Sequence, residues 1–203
     1  MTFSEEITNK VKTIYTNLEA IQKNWLEKTQ FYCPEGCGSC CINFEPEVFE
    51  IEAMYMAEWL IENQYDKALD IAAGNFCKDY NEKTCIFFNP QNAYHCSIYG
   101  GRPFICRLFG ASSFHDKTGK TVWRPCKFIP VTKLQKHKPP LLHKQYNFNE
   151  AENILGAVPP VMSDIMEQAV SLSPDSTSTL PLRKILPAII RKILFERQLK
   201  ENV

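Results

Sequence analysis

The sequence predicts a mainly α fold, a helical domain around a cysteine-rich, loop-rich centre with a few short extended segments. Three observations carry this. Apolar residues recur at helical spacing over residues 3–29 and again near the C-terminus. The segments that read as extended, Cys85–Phe88 and Thr121–Trp123, are too short to make a sheet core. All nine cysteines fall between residues 33 and 126. A length of 203 residues suits one domain with an appendage and can bury a core without disulfides. The expected division is a helical and cysteine-rich domain over 1–140, with its cluster at 31–130, and a C-terminal helical extension over 141–203 packed on it.

Residues 3–29 read as one helix, with Ile7, Val11, Ile14, Leu18, Ile21 and Trp25 on a single stripe. Thr2 and Glu5 fit a capping box at its start. A second helix is expected to start in Asn43-Phe-Glu-Pro46, with Pro46 suited to its first turn, and to run to about Gln64. Glu45, Glu47 and Glu50 then crowd its N-terminus, favourably for the helix dipole and as a solvated face. A shorter helix follows from Asp66 to about Phe76. Gly100 and Gly101 make a sharp bend, and Pro103 opens a short helix that carries Cys106 in its first turn. The free N–H groups there would lower the pKa of the Cys106 thiol. Val161–Leu172 reads as an amphipathic helix and 173–179 as a polar linker. Leu182, Ile185, Leu186, Ile189, Ile190 and Ile193 line a last, basic helix, expected to dock on the core and to kink at Pro187.

Composition narrows the function. The formal net charge is zero, so no global field draws the chain to nucleic acid or to an anionic membrane. No apolar run approaches the roughly 20 residues of a spanning helix. The N-terminal residues carry acid and no apolar stretch of a signal peptide, so a cytoplasmic location is expected. Thiols are kept reduced there, and the odd cysteine count also argues against bridges. Residues 117–144 hold eight Lys or Arg and no acid, a solvated basic loop or a patch for an anionic or protein partner. No Ser-His-Asp set, phosphate-binding glycine loop or H-E-x-x-H is present.

Phe31–Cys41 places Cys33, Cys37, Cys40 and Cys41 at the spacing C-x3-C-x2-C-C. Gly36 and Gly38 allow a tight loop that turns thiols toward one centre. Sorted by context, the candidate metal ligands are Cys33, Cys37, Cys40, Cys41, Cys85, Cys96, Cys106 and Cys126. Cys77 fits no ligand spacing and reads as a small buried hydrophobe. His137 and His143 read as surface histidines. Adjacent Cys40 and Cys41 are expected to point in different directions and need not share an ion. Arg102 and Arg107 could donate hydrogen bonds to the sulfurs of a bound cofactor or offset their charge. Zinc and iron–sulfur clusters both use such thiolates, and spacing alone does not separate Zn²⁺ from a 4Fe–4S cluster. Eight candidates exceed one mononuclear site, so either two centres form, or one cluster with some thiols set around it.

Phe31-x-Cys33-x3-Cys37-Gly-x-Cys40-Cys41, then Cys85, then Cys96-Ser-Ile-Tyr-x-x-Arg-Pro-x-x-Cys106-Arg, resembles the YkgJ-like cysteine-cluster family. That family is described as a zinc- or iron-chelating domain with a CxxCxxCC signature, and the resemblance implies metal binding. Here the first gap is three residues, because of 34–36, where the family pattern has two. Flagellin lysine N-methylases form a related branch, whose similar cluster implies methyl transfer to protein lysine as a candidate enzymatic role beside redox chemistry. A third role is a metal-stabilised interaction module. The opening also matches the three-cysteine signature of radical S-adenosylmethionine enzymes, but its flanks are helical rather than those of a partial barrel.

Overall fold

The computed structural model describes residues 3–33, 37–75, 83–174 and 176–201. Cys77 and Thr2 lie outside the described residues. The fold is mainly α, with eight α-helices among the described residues: α1 (Phe3–Thr29), α2 (Glu50–Asn63), α3 (Tyr65–Ala72), α4 (Phe104–Leu108), α5 (Val131–Gln135), α6 (Phe148–Leu155), α7 (Met162–Val170) and α8 (Leu182–Glu201). The strands are two or three residues long. β1 (Glu47–Val48) pairs with β5 (Leu180–Pro181), and β2 (Phe114–His115), β3 (Thr121–Trp123) and β4 (Tyr146–Asn147) form an antiparallel sheet in that order.

α1 begins and ends where its periodicity predicts, but the buried stripe is rotated. Ile7, Val11, Tyr15, Leu18, Gln22 and Trp25 face inward, while Ile14 is half-buried and Ile21 is exposed. Tyr15 and Gln22 displace the isoleucines because each has a specific partner. Tyr15 packs edge-on to Tyr55 and Phe104. Gln22 Nε2 donates to the carbonyls of Arg107 (2.9 Å), in the last turn of the short helix α4, and of Ala111 (3.3 Å), in the loop that follows it.

α2 starts at Glu50, four residues after Pro46, because Glu47–Val48 is taken up in the strand pair with β5. Of the acids before it, Glu47 stays exposed, whereas Glu45 is drawn into an ion pair. Glu45 accepts from the Arg183 backbone N–H (2.9 Å) and from its Nε (2.6 Å), clamping the start of α8. α8 lies against α2 and α3, and all six apolar residues of its predicted stripe are buried. Each fully buried side chain of that type contributes about 1.5–3 kcal/mol, so this face is committed to the core. Pro187 sits inside the helix. No helix among the described residues is long and apolar enough to cross a membrane.

Two hydrophobic cores result. The larger gathers α1, α2, α3, α7 and α8 with Phe87, Ile98, Phe104 and Leu108. The smaller gathers Trp25, Phe31, Trp123, Ile129, Leu134, Leu141, Tyr146, Ala151 and Leu155. α1 contributes to both, its first five turns to the larger and Trp25 to the smaller, and so acts as the shared spine. The cysteine-bearing loops lie where the two cores meet.

Candidate metal centre

Each thiol reaches this junction by a local device. The first loop leaves α1 at Phe31, whose ring packs edge-on to Trp25 (6.1 Å) and Trp123 (5.3 Å). The Cys41 N–H donates to Gly38 O (2.9 Å), closing a turn over Cys40 and Cys41. The Cys85 N–H donates to Cys41 O (3.2 Å), which ties the second thiol segment to the first. An antiparallel bridge between Phe88 and Cys96, with Ser97 N–H donating to Phe87 O, sets Cys96 beside Cys85. α4 carries Cys106. Gly110, at φ +77°, passes Cys126 so closely that a Cβ there would stand 3.4 Å from the Cys126 Cβ.

All eight predicted ligands, Cys33, Cys37, Cys40, Cys41, Cys85, Cys96, Cys106 and Cys126, line one cavity of about 370 Å³, together with Arg102 and Arg107. Among the described residues no His, Asp or Glu lines it. His137 and His143 instead face backbone carbonyls, of Pro139 and Ile129. The donors are therefore all sulfur, the soft class that zinc and iron–sulfur centres take. Among the described residues no three Cys, His, Asp or Glu side chains are drawn in around one point. Cys33 is exposed at the mouth and Cys85 is buried.

Cys40 and Cys41 do not diverge. Their sulfurs are 3.7 Å apart, because the Gly38–Cys41 turn folds both toward the cavity. Two sulfurs on one tetrahedral zinc, each about 2.3 Å from the ion, would stand roughly 3.8 Å apart. The Cys41 thiol, by hydrogen bonding, brings the Cys40 thiol down to about 7, and Arg102 adds to the effect. The pKa of Cys41 is raised in turn.

The Cys106 thiol is not activated by its helix. Burial pushes its pKa well up, helped by the neighbouring Cys85, against a smaller opposing pull from Arg102. A five-residue helix offers too little dipole to offset desolvation of a thiolate. Burial likewise pushes Cys85 up to about 12. A bound cation would reverse this, since coordination deprotonates a thiol outright.

The two arginines differ. Arg102 donates from Nε to Tyr99 O (2.8 Å), lies 3.4 Å over the Tyr99 ring, and its charge acts on Cys40, Cys96 and Cys106. Arg107 is buried and turned from the sulfurs. Its guanidinium donates to Arg102 O (2.7 Å), Gly100 O and Glu19, and stacks on Tyr15. It pins the 98–107 segment to α1.

Sequence reasoning missed Glu52. This buried carboxylate accepts the Phe49 N–H on one oxygen (3.0 Å) and the Phe104 N–H on the other (2.7 Å). It thus joins the first turns of α2 and α4 and fixes where Cys106 stands. A Glu three residues after the N-cap is a signal for such a bond, but it is visible only once the helix start is known to be Phe49/Glu50.

Gly38 faces His95, and a Cβ at this position would overlap the His95 Cβ and ring. His95 has φ +52° and lies next to Cys96. Gly38→Ala is therefore expected to push the two thiol loops apart and lower the metal content per chain, with every cysteine intact. Elemental analysis of the purified variant checks this; wild-type metal content would show that the close approach is not needed.

Residues 32–127, slightly less than half of the chain, match the family model CxxCxxCC, described as "Putative zinc- or iron-chelating domain". The matched segment contains every cysteine of the chain. No curated protein and no solved structure matches it. The match and the shared cavity both support metal binding through the cysteine cluster.

Proposed function

We propose that the chain is an iron–sulfur protein whose centre is redox-active. The observation that carries this reading is a set of eight thiols, with no His, Asp or Glu among the described lining residues, around one cavity of about 370 Å³. Eight thiols are twice what one mononuclear ion takes, and iron–sulfur clusters are held by cysteine thiolates. The cavity is also open. Tyr32, Phe44, Tyr94, Tyr99, Phe109 and Phe128 line it and remain exposed. Apolar walls limit solvent around the sulfurs, one of the levers that sets a reduction potential.

A second reading, zinc, is favoured by the 3.7 Å separation of the Cys40 and Cys41 sulfurs, which suits two ligands of one tetrahedral ion. Purification without oxygen separates the two. The expected product is brown, absorbs broadly in the visible, contains iron with acid-labile sulfide, and bleaches reversibly on reduction. A colourless protein with stoichiometric zinc and no iron would remove the redox role.

A further inference from the structure

We propose that the cavity holds two metal centres, an inner one on Cys41, Cys85, Cys96 and Cys106 and an outer one on Cys33, Cys37, Cys40 and Cys126. The proposal rests on the iron–sulfur reading above, and it replaces the sharing of one ion by Cys40 and Cys41.

The division follows the two cores. Cys41, Cys85 and Cys96 pack on or within the larger core. Cys106 stands between Phe104 and Leu108, both fully buried in that same core. Cys126 packs on the smaller core, and Cys33 follows Phe31, which belongs to it. The backbone ties agree. Cys85 is bonded to Cys41, and the Phe88–Cys96 bridge sets Cys96 beside Cys85.

The side chains sort in the same way. Among the thiols, Cys37 acts most strongly on Cys33, then Cys126 and Cys40. Cys126 in turn feels the charge of Cys40 and Cys37. Among the thiols, Cys85 acts most strongly on Cys106, then Cys96 and Cys40. Cys40 alone stands at the junction: its sulfur is 3.7 Å from that of Cys41 in the inner group, and it is the thiol whose charge acts most on Cys126 of the outer group. The inner group already has four thiols without it, and the outer group has three. Four is the number that both a structural zinc and a cubane cluster require, so Cys40 completes the outer set.

The two centres differ in exposure. Cys85 is buried and Cys33 is exposed at the mouth. The outer centre is therefore expected to lose its metal first, and the inner one to hold the larger core together.

Partial chelation of the metal-loaded wild-type protein, followed by alkylation and mass spectrometry, tests this without a variant that has to fold. The expected result is two phases of metal release. In the first, Cys33, Cys37, Cys40 and Cys126 become labelled while Cys41, Cys85, Cys96 and Cys106 stay protected. Cys126→Ser should retain about half of the wild-type metal, the half held by the inner four thiolates. A single phase in which all eight are labelled together overturns the proposal. So does labelling of the outer four before any metal leaves, which would mean one centre on the inner set. A wild-type protein that binds no metal at all would instead remove the metal-binding reading itself.

Discussion

Replacing Cys106 with serine is expected to strip metal from the protein and to lower its stability in the same step. Cys106 sits on a helix of five residues, too short to be stable alone. That helix is held from three sides. Glu52 accepts the first free N–H, Gln22 covers carbonyls at the far end, and Arg107 fastens it to α1. The sulfur is therefore delivered to the cavity by a fixed backbone, and a hydroxyl in its place is a poor ligand for a soft metal. Metal binding energy is also folding energy, and a structural thiolate site is worth on the order of 10 kcal/mol at neutral pH. Loss of one of its four ligands should raise the metal dissociation constant by well over the roughly 10- to 100-fold seen for residues that merely support a ligand. Competition with a chromogenic chelator reads the affinity, and thermal melts with and without metal read the stability. A variant with full metal and an unchanged melting temperature would mean that Cys106 only borders the centre. Acid should act in the same direction. Burial holds the Cys106 and Cys85 thiols protonated at neutral pH in the metal-free protein, so metal uptake has to release protons and affinity falls as pH falls.

Much of this site was legible in the sequence, and the residues show why. Five of the eight thiols that line the cavity are placed there by the C-x3-C-x2-C-C loop and the Pro103 helix start, local instructions read by neighbours in the chain. The length of α1 was legible for the same reason. What the sequence hid was set by distant partners. Gln22 lies on the buried face because of carbonyls about 85 residues away. Pro46 does not start α2 because β5, some 130 residues later, claims the segment after it. Glu45 looks like a surface acid until Arg183 is placed against it. The pKa of Cys106 was read from helix position alone, and burial, a property of the whole fold, outweighs it. Hydrophobic period also favours isoleucine over tyrosine or glutamine, so it rotated the α1 stripe toward Ile14 and Ile21. Partners specific to Tyr15 and Gln22 decide the true face.

Glu52→Gln is expected to destabilise the metal-free protein at pH 5 and to remove much of its pH dependence. Both Glu52 oxygens accept a backbone N–H, from Phe49 and from Phe104. Glutamine offers one acceptor oxygen, and its amide nitrogen would face the other N–H donor to donor. A buried donor left without a partner costs about 1–3 kcal/mol. The pH effect has a definite sign. Burial pushes the Glu52 pKa up to about 7, from an ordinary value of 4.5, against the two backbone bonds that pull it down. Between those values the folded chain holds a proton that the unfolded chain has released. Stability from this group is thus complete below the unfolded pKa and is lost as pH rises through 7. A shift of that size corresponds to roughly 3 kcal/mol between pH 4 and pH 8, as an order of magnitude. The wild-type apo protein should therefore melt lower at pH 8 than at pH 5 where Glu52 dominates, and the variant should show a flatter profile. Its deficit should be largest at pH 5 and shrink toward pH 8. The variant should also bind metal more weakly with all cysteines present, because α4 loses its tether to α2. Denaturant melts across this range, paired with metal titration, give both readouts. A variant that parallels the wild-type pH profile would show that Glu52 is ionised throughout and that the slope arises elsewhere.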